Sequence, residues 1–238
     1  MSGLFPFHRR CGRYFLNILA LETSTEHCSV ALWRDGELDA RDAHVGHGHS
    51  EHVLDMVDEL LRRHRLRARV LDGIAFGEGP GSFTGLRIAC GVTQGLAFAA
   101  GIPVLGVGTL LAMAESTQSR LVLCCVDARM REIYHAAYAR ETEGWNAVQV
   151  PGVYLPAVAP PLPDGAWFGC GNGFAVYRET LMKRYGAQLG EIDVEIRPRA
   201  QEIARLAAPR FERGEGADAA TAAPVYVRDK VALKSHER

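Results

Sequence analysis

Lysine is nearly missing from this chain: Lys183, Lys230 and Lys234 are its only occurrences in 238 residues. A phosphate loop of the GxxxxGK[ST] type therefore has no lysine to complete it, and the pattern is absent. Among Cys11, Cys28, Cys90, Cys124, Cys125 and Cys170 no two form a CxxC pair, which removes the zinc-ribbon and thioredoxin-type readings. HExxH and GxSxG are absent as well, so neither a zinc protease helix nor a nucleophile elbow is written in the chain. No uninterrupted apolar run reaches the ~18 residues of a membrane span. A formal charge of -1 gives no global pull toward nucleic acid or membrane. The first residues, MSGLFPFHRRCGR, put an apolar patch before arginines, the reverse of a secretory signal. The cytoplasm is the expected compartment.

What is present centres on Gly77 to Gly101, GEGPGSFTGLRIACGVTQGLAFAAG, a glycine-rich turn entering a helix with almost no polar face. Between Leu86 and Ala100 only Arg87, Thr93 and Gln94 are distinctly polar. Such a helix is normally covered on most sides. Glycine inside a helix costs about 1 kcal/mol relative to alanine, yet Gly91 and Gly95 stand four apart, with Ala99 four further on. That spacing makes one stripe of minimal side chains, where a second backbone can approach. A sheet covers one side of the helix, so the stripe predicts a partner surface.

With 47% hydrophobic residues the chain can bury a large core, in one domain or two lobes of about a hundred residues each. After a leader expected to be mobile over 1–13, strands are predicted at Tyr14–Glu22, Cys28–Trp33 and Leu38–Ala43. Asp35-Gly36 is the hairpin turn between the last two. A first helix starts near Ser50 as N-cap, with Val53, Met56, Val57, Leu60 and Leu61 at amphipathic spacing. Strand Gly73–Gly77, the glycine-entered second helix, strand Pro103–Val107 and a third helix from Thr109 complete an N-terminal lobe at 14–115. Leu121–Asp127 and Glu132–Ala139 open a second lobe over 116–238 with the same flavour. Prolines crowd between Pro151 and Pro163 and predict a surface excursion. Strand Ala166–Cys170, helix Phe174–Tyr185, strand Ile192–Ile196 and a helix over Arg199–Arg213 interrupted at Pro209 follow. The last helix is open to packing back on the first lobe. Pro224–Lys230 ends the ordered chain. The fold class expected is α/β, two related mixed sheets flanked by helices.

Several groups invite chemistry. The loop residues Gly79, Gly81, Ser82, Thr84 and Gly85 precede a helix N-terminus and could present backbone N–H groups to a shared nucleotide; the alternative is a purely structural turn. His44, His47, His49 and His52 have ligand-like spacing for zinc but no evident completing ligand. Glu22 and Asp127 each end a strand, and paired carboxylates could hold a magnesium-nucleotide complex in a phosphotransferase. The run Arg62, Arg63, Arg65, Arg67 and Arg69 is either a solvated helix end or an RNA or protein contact. No complete catalytic set or metal site emerges.

The segments ILALETSTEHCSVALW, HSEHVLDMVDELL, GEGPGSFTGLRIACGVTQGLAFAAGIPVLGVGTL, VDARMREIYHAAY, GNG and PVYVRD, in this order, resemble the TsaB family over roughly Asn17 to Asp229. The GPGSFTGLR block is the most specific. The resemblance implies two ribonuclease-H-like lobes of the actin/sugar-kinase type. It also implies a non-catalytic subunit for threonylcarbamoyladenosine synthesis in tRNA, with no cofactor of its own and ATP or ADP at a complex interface left open. The implied partners are TsaD, the metal-dependent transferase, and TsaE, an ATPase; tRNA is met through the complex, and a homodimer could form alone. The partner surface implied here is Glu51, Leu54, Asp55 and Asp58 on the first helix, with Arg87, Gly91, Gln94 and Gly95 on the second. Glu22 departs from the family's usual aspartate, which weakens a magnesium role.

Overall fold

A computed structural model describes residues 9–10, 13–14 and 16–228. Most of the expected leader and the end of the Pro224–Lys230 segment lie outside the described residues; Arg9–Arg10 pairs antiparallel with Arg13–Tyr14. The chain divides into two compact units. One holds the residues through Ser116 together with Arg197–Pro224, the other Thr117–Ile196 with the described residues from Val225 onward.

The first unit opens with an antiparallel meander, β1 (Asn17–Glu22), β2 (His27–Arg34) and β3 (Glu37–His44). Asp35 and Gly36 both take positive φ, 54° and 92°, as the tight two-residue hairpin requires. Then come α1 (His49–Arg63), β4 (Gly73–Gly79), α2 (Phe83–Ala100), β5 (Val104–Gly108) and α3 (Thr109–Glu115). The sheet order is β3-β2-β1-β4-β5, with β4 parallel to both β1 and β5. Strand residues alternate between two cores. Leu19, Leu21, Val30, Leu32, Ile74 and Phe76 meet α1 and α2 on one face, while Ile18, Ala20, Ala31, Ala75, Leu105 and Val107 face the other.

The second unit repeats the plan. Strands β6 (Leu121–Asp127), β7 (Ile133–Glu141) and β8 (Gly144–Tyr154) form an antiparallel meander, followed by β9 (Trp167–Cys170), α4 (Gly173–Val176), α5 (Arg178–Tyr185) and β10 (Leu189–Asp193). Their order, β8-β7-β6-β9-β10, matches the first sheet position for position. Finally α6 (Ala200–Glu212) belongs to the first unit, where Ala200, Ile203, Ala204, Ala207, Ala208 and Phe211 close the second core face. The protein is therefore α/β, built from two mixed sheets of the same strand order flanked by helices.

Five local expectations need correction. The cap of α1 is Gly48, without a side-chain cap bond, so Ser50 lies inside the first turn. Residues expected in a proline-rich excursion from Pro151 begin instead inside β8, an edge strand whose register shifts between Gln149 and Gly152; edges and bulges are where a strand tolerates proline. The helix expected over Phe174–Tyr185 breaks at Tyr177 into α4 and α5. The strand expected at Ile192–Ile196 lies earlier, at Leu189–Asp193. Pro209 does not interrupt α6, which runs continuously through it.

Candidate functional site

Helix α2 has two small-residue stripes. Gly85, Ala89, Thr93 and Ala97, four apart, are all buried on the inward side. The entry of the helix is pinned by the β1–β2 turn: Thr23 Oγ1 donates to the Gly85 carbonyl at 2.7 Å, and Ser82 N–H to the Ser24 carbonyl at 2.8 Å. A Cβ on Gly85 would lie 1.9 Å from the Thr23 carbonyl oxygen, and one on Gly81 2.5 Å from Ser24 Cβ. Ser82 caps the helix, its hydroxyl accepting from Gly85 N–H at 3.4 Å. These glycines let one loop lie directly on another. Of the candidate nucleotide loop, then, Gly81 and Gly85 serve close packing and Gly79 is buried with a positive φ of 121°, while Ser82 and Thr84 face outward.

The second stripe is open. Gly91 and Gly95 are exposed, and a Cβ at either would meet nothing within 4 Å. Arg87 lies on the same side, stacked over the Phe83 ring at 3.6 Å, and Ala99 continues the row. Phe98, three residues beyond Gly95, is 82% exposed. Sequence reasoning missed it, although its spacing from Gly91 and Gly95 puts it on their face. On α1, which packs beside α2, Glu51, Leu54, Asp55 and Asp58 all face outward, Leu54 being 52% exposed. Val53, Val57, Leu60 and Leu61 hold the opposite side in the core. Asp58 pairs with Arg62 one turn on, and Glu59 bonds Arg41 and Arg63 at 3.0 Å each. Gln94 alone of the expected surface set turns aside: it is half-buried and its amide donates to the Ala222 carbonyl at 2.9 Å, fastening the segment after α6.

The alternative chemistries find less. Glu22 is 1% exposed, and Ser24 N–H donates to its Oε1. Its Oε2 has no hydrogen-bond partner and lies over Gly77, where a Cβ would come within 1.8 Å. Burial raises its pKa from the usual 4.5 to about 7. A carboxyl closed in this way offers no approach to a hydrated cation. In the second unit Asp127 is held locally, its Oδ1 accepting from Tyr177 OH at 3.0 Å and from Arg129 N–H at 3.1 Å. The histidines scatter. His44 meets His27 edge to face at 4.9 Å between ring centres, His49 Nε2–H donates to the Thr25 carbonyl at 2.8 Å, and His47 and His52 are exposed. Among the described residues no three His, Cys, Asp or Glu side chains converge as a metal group. No helix among them is long and apolar enough to cross a membrane.

The two-lobed fold, the pinned glycine loop and the open helix stripe can now be set beside known proteins. A family model described as "TsaD: tRNA N6-adenosine threonylcarbamoyltransferase" matches residues 43–235. The "tRNA threonylcarbamoyladenosine biosynthesis protein TsaB" of Escherichia coli K12 is 36% identical over 227 residues, covering 92% of this chain and 97% of that protein. The chain belongs to the TsaB family. A protein of the same name from Haemophilus influenzae is 34% identical, with 92% and 96% coverage. A Pseudomonas aeruginosa crystal structure titled as similar to peptidase YeaZ is 37% identical and superimposes with a TM-score of 0.83, over 90% of this chain and all of that one. TsaB relatives are thus named for a biosynthetic role, while one solved relative is titled as similar to a peptidase.

Proposed function

We propose that this chain is a non-catalytic accessory subunit of tRNA threonylcarbamoyladenosine synthesis. It acts in the cytoplasm by seating the outward face of α1 and α2 against the equivalent helix pair of a TsaD protein. Docking favours the TsaD state that transfers the threonylcarbamoyl group to the adenosine next to the anticodon; such a shift requires that the face fit that state better than the resting one. TsaE joins the assembly, and ATP or ADP belongs at its junction rather than in this chain. One observation carries the reading: two exposed glycines with empty space above them, flanked by a phenylalanine that is 82% exposed. A free helix gains nothing from glycine at such positions, whereas a second backbone needs the room. The family's biosynthetic name supplies the reaction, and the sealed Glu22 supports leaving the chemistry to the partner.

The test is co-elution of the purified chain with TsaD from the same organism, compared with a Gly91→Leu/Gly95→Leu variant. The account expects a stable complex for the first and none for the second, with both chains folded. Equal complex formation by the variant would overturn it.

A further inference from the structure

The arginine run after α1 separates into two parts. Arg62 and Arg63 have acidic partners on α1 and β3: Asp58 for the first, Glu59 at 3.0 Å and Asp39 at 3.4 Å for the second. Arg65, Arg67 and Arg69 are exposed, and none of them makes an ion pair or side-chain hydrogen bond among the described residues. They alternate with Leu66 and Ala68, which pack inward on the core shared by α1 and α2. Every second residue thus presents a guanidinium outward while the intervening ones anchor the ridge. The short 3-10 turn Ala68–Val70 also packs against α2, so the ridge borders the proposed docking face.

We infer that Arg65, Arg67 and Arg69 form a contact ridge for the phosphate backbone of the tRNA. This rests on the reading above, which brings tRNA to the assembly. Guanidinium groups pair with phosphate oxygens through two parallel N–H bonds, a geometry that lysine lacks. The ridge carries charge with little else: Val70, 46% exposed, is its one outward apolar side chain. An acidic protein partner would call for a central aromatic or aliphatic anchor. Phosphate contacts position a nucleic acid without reading its sequence and need none.

The experiment measures affinity for an unmodified tRNA transcript, by the full chain alone and by the chain mixed with TsaD, between about 50 and 200 mM salt. The variant is Arg65→Gln/Arg67→Gln/Arg69→Gln, with Arg63→Gln as the paired-arginine control. Three lost phosphate contacts flatten the slope of log K against log salt by about 2 to 3. Over that range the unaltered protein then loses about 15- to 60-fold more affinity than the triple variant. The control keeps the original slope, and the melting temperature and co-elution with TsaD stay unchanged in both. Equal slopes for the triple variant and the unaltered protein, or no tRNA binding by either preparation, overturn the inference. So does loss of TsaD co-elution without a change in slope, which would mark the ridge as a protein contact. Modification activity that persists without the chain would refute the accessory role but leave the salt slopes to decide the ridge.

Discussion

Replacing glycine by alanine at Gly91 and Gly95 should make the isolated protein more stable and its association weaker. Both residues are mid-helix, exposed and clear of any atom within 4 Å of a new Cβ. Alanine in an exposed helix interior is better than glycine by about 0.8–1 kcal/mol, so the double variant gains about 2 kcal/mol. For a chain of this size that raises the melting temperature by about 4–8 °C, read by calorimetry at a concentration where the protein is monomeric. In the complex each methyl enters a close helix contact, where overpacking costs about 1–3 kcal/mol. The dissociation constant should therefore rise at least tenfold by titration calorimetry. Gly85→Ala is the internal control. It is the same change in the same helix, but its Cβ would lie 1.9 Å from the Thr23 carbonyl, and it must lower stability. A fall in melting temperature for Gly91→Ala/Gly95→Ala, or unchanged affinity, would refute the reasoning.

Phe98→Ala should leave the melting temperature within about 2 °C, because the ring is 82% exposed. It should weaken TsaD binding about 10- to 100-fold, the value of burying one large apolar side chain; unchanged affinity in the same titration would remove Phe98 from the interface. Glu22→Gln should flatten the pH dependence of stability. The folded pKa of about 7 stands above the usual 4.5, so the neutral carboxyl's contribution is complete below about pH 4.5 and is lost as pH rises through 7, amounting to about 3 kcal/mol. Urea midpoints at pH 5 and 8 check this, and an identical pH profile for the variant would contradict it. Gln94→Ala should speed hydrogen exchange over 217–222 by freeing the Ala222 carbonyl, measured by mass spectrometry; unaltered exchange would show that the amide does not fasten this segment.

Much of the architecture could be read from residue patterns because local chemistry and fold agree. Asp35-Gly36 demands two positive φ values and gets them, and Val53, Val57, Leu60 and Leu61 meet the sheet as their spacing requires. Errors arose where burial competes with local propensity. Pro151 and Gly152 signal a loop, but the edge of a sheet accepts both, so β8 was hidden. In α2 the apolar content identifies a helix without saying which side meets the sheet. The small residues Gly85, Ala89 and Ala97 take the inward positions, and Phe98 is left outside. A large aromatic in an apolar helix ordinarily reads as core, and that expectation outweighs the spacing that puts Phe98 on the face of Gly91 and Gly95. Gln94 illustrates the reverse: its polarity suggests a surface role, yet its amide fastens the segment that returns across α2 at Ala222, 128 residues further along the chain.

The central claim is that the outward face of α1 and α2 exists to carry a partner that performs the chemistry. Reconstituted threonylcarbamoylation of a tRNA transcript, assayed with TsaD and its companion proteins, tests this directly when this chain is added, omitted or replaced by Gly91→Leu/Gly95→Leu. The account predicts robust modification only with the unaltered chain. Full modification in its absence, or with the leucine variant, would contradict it.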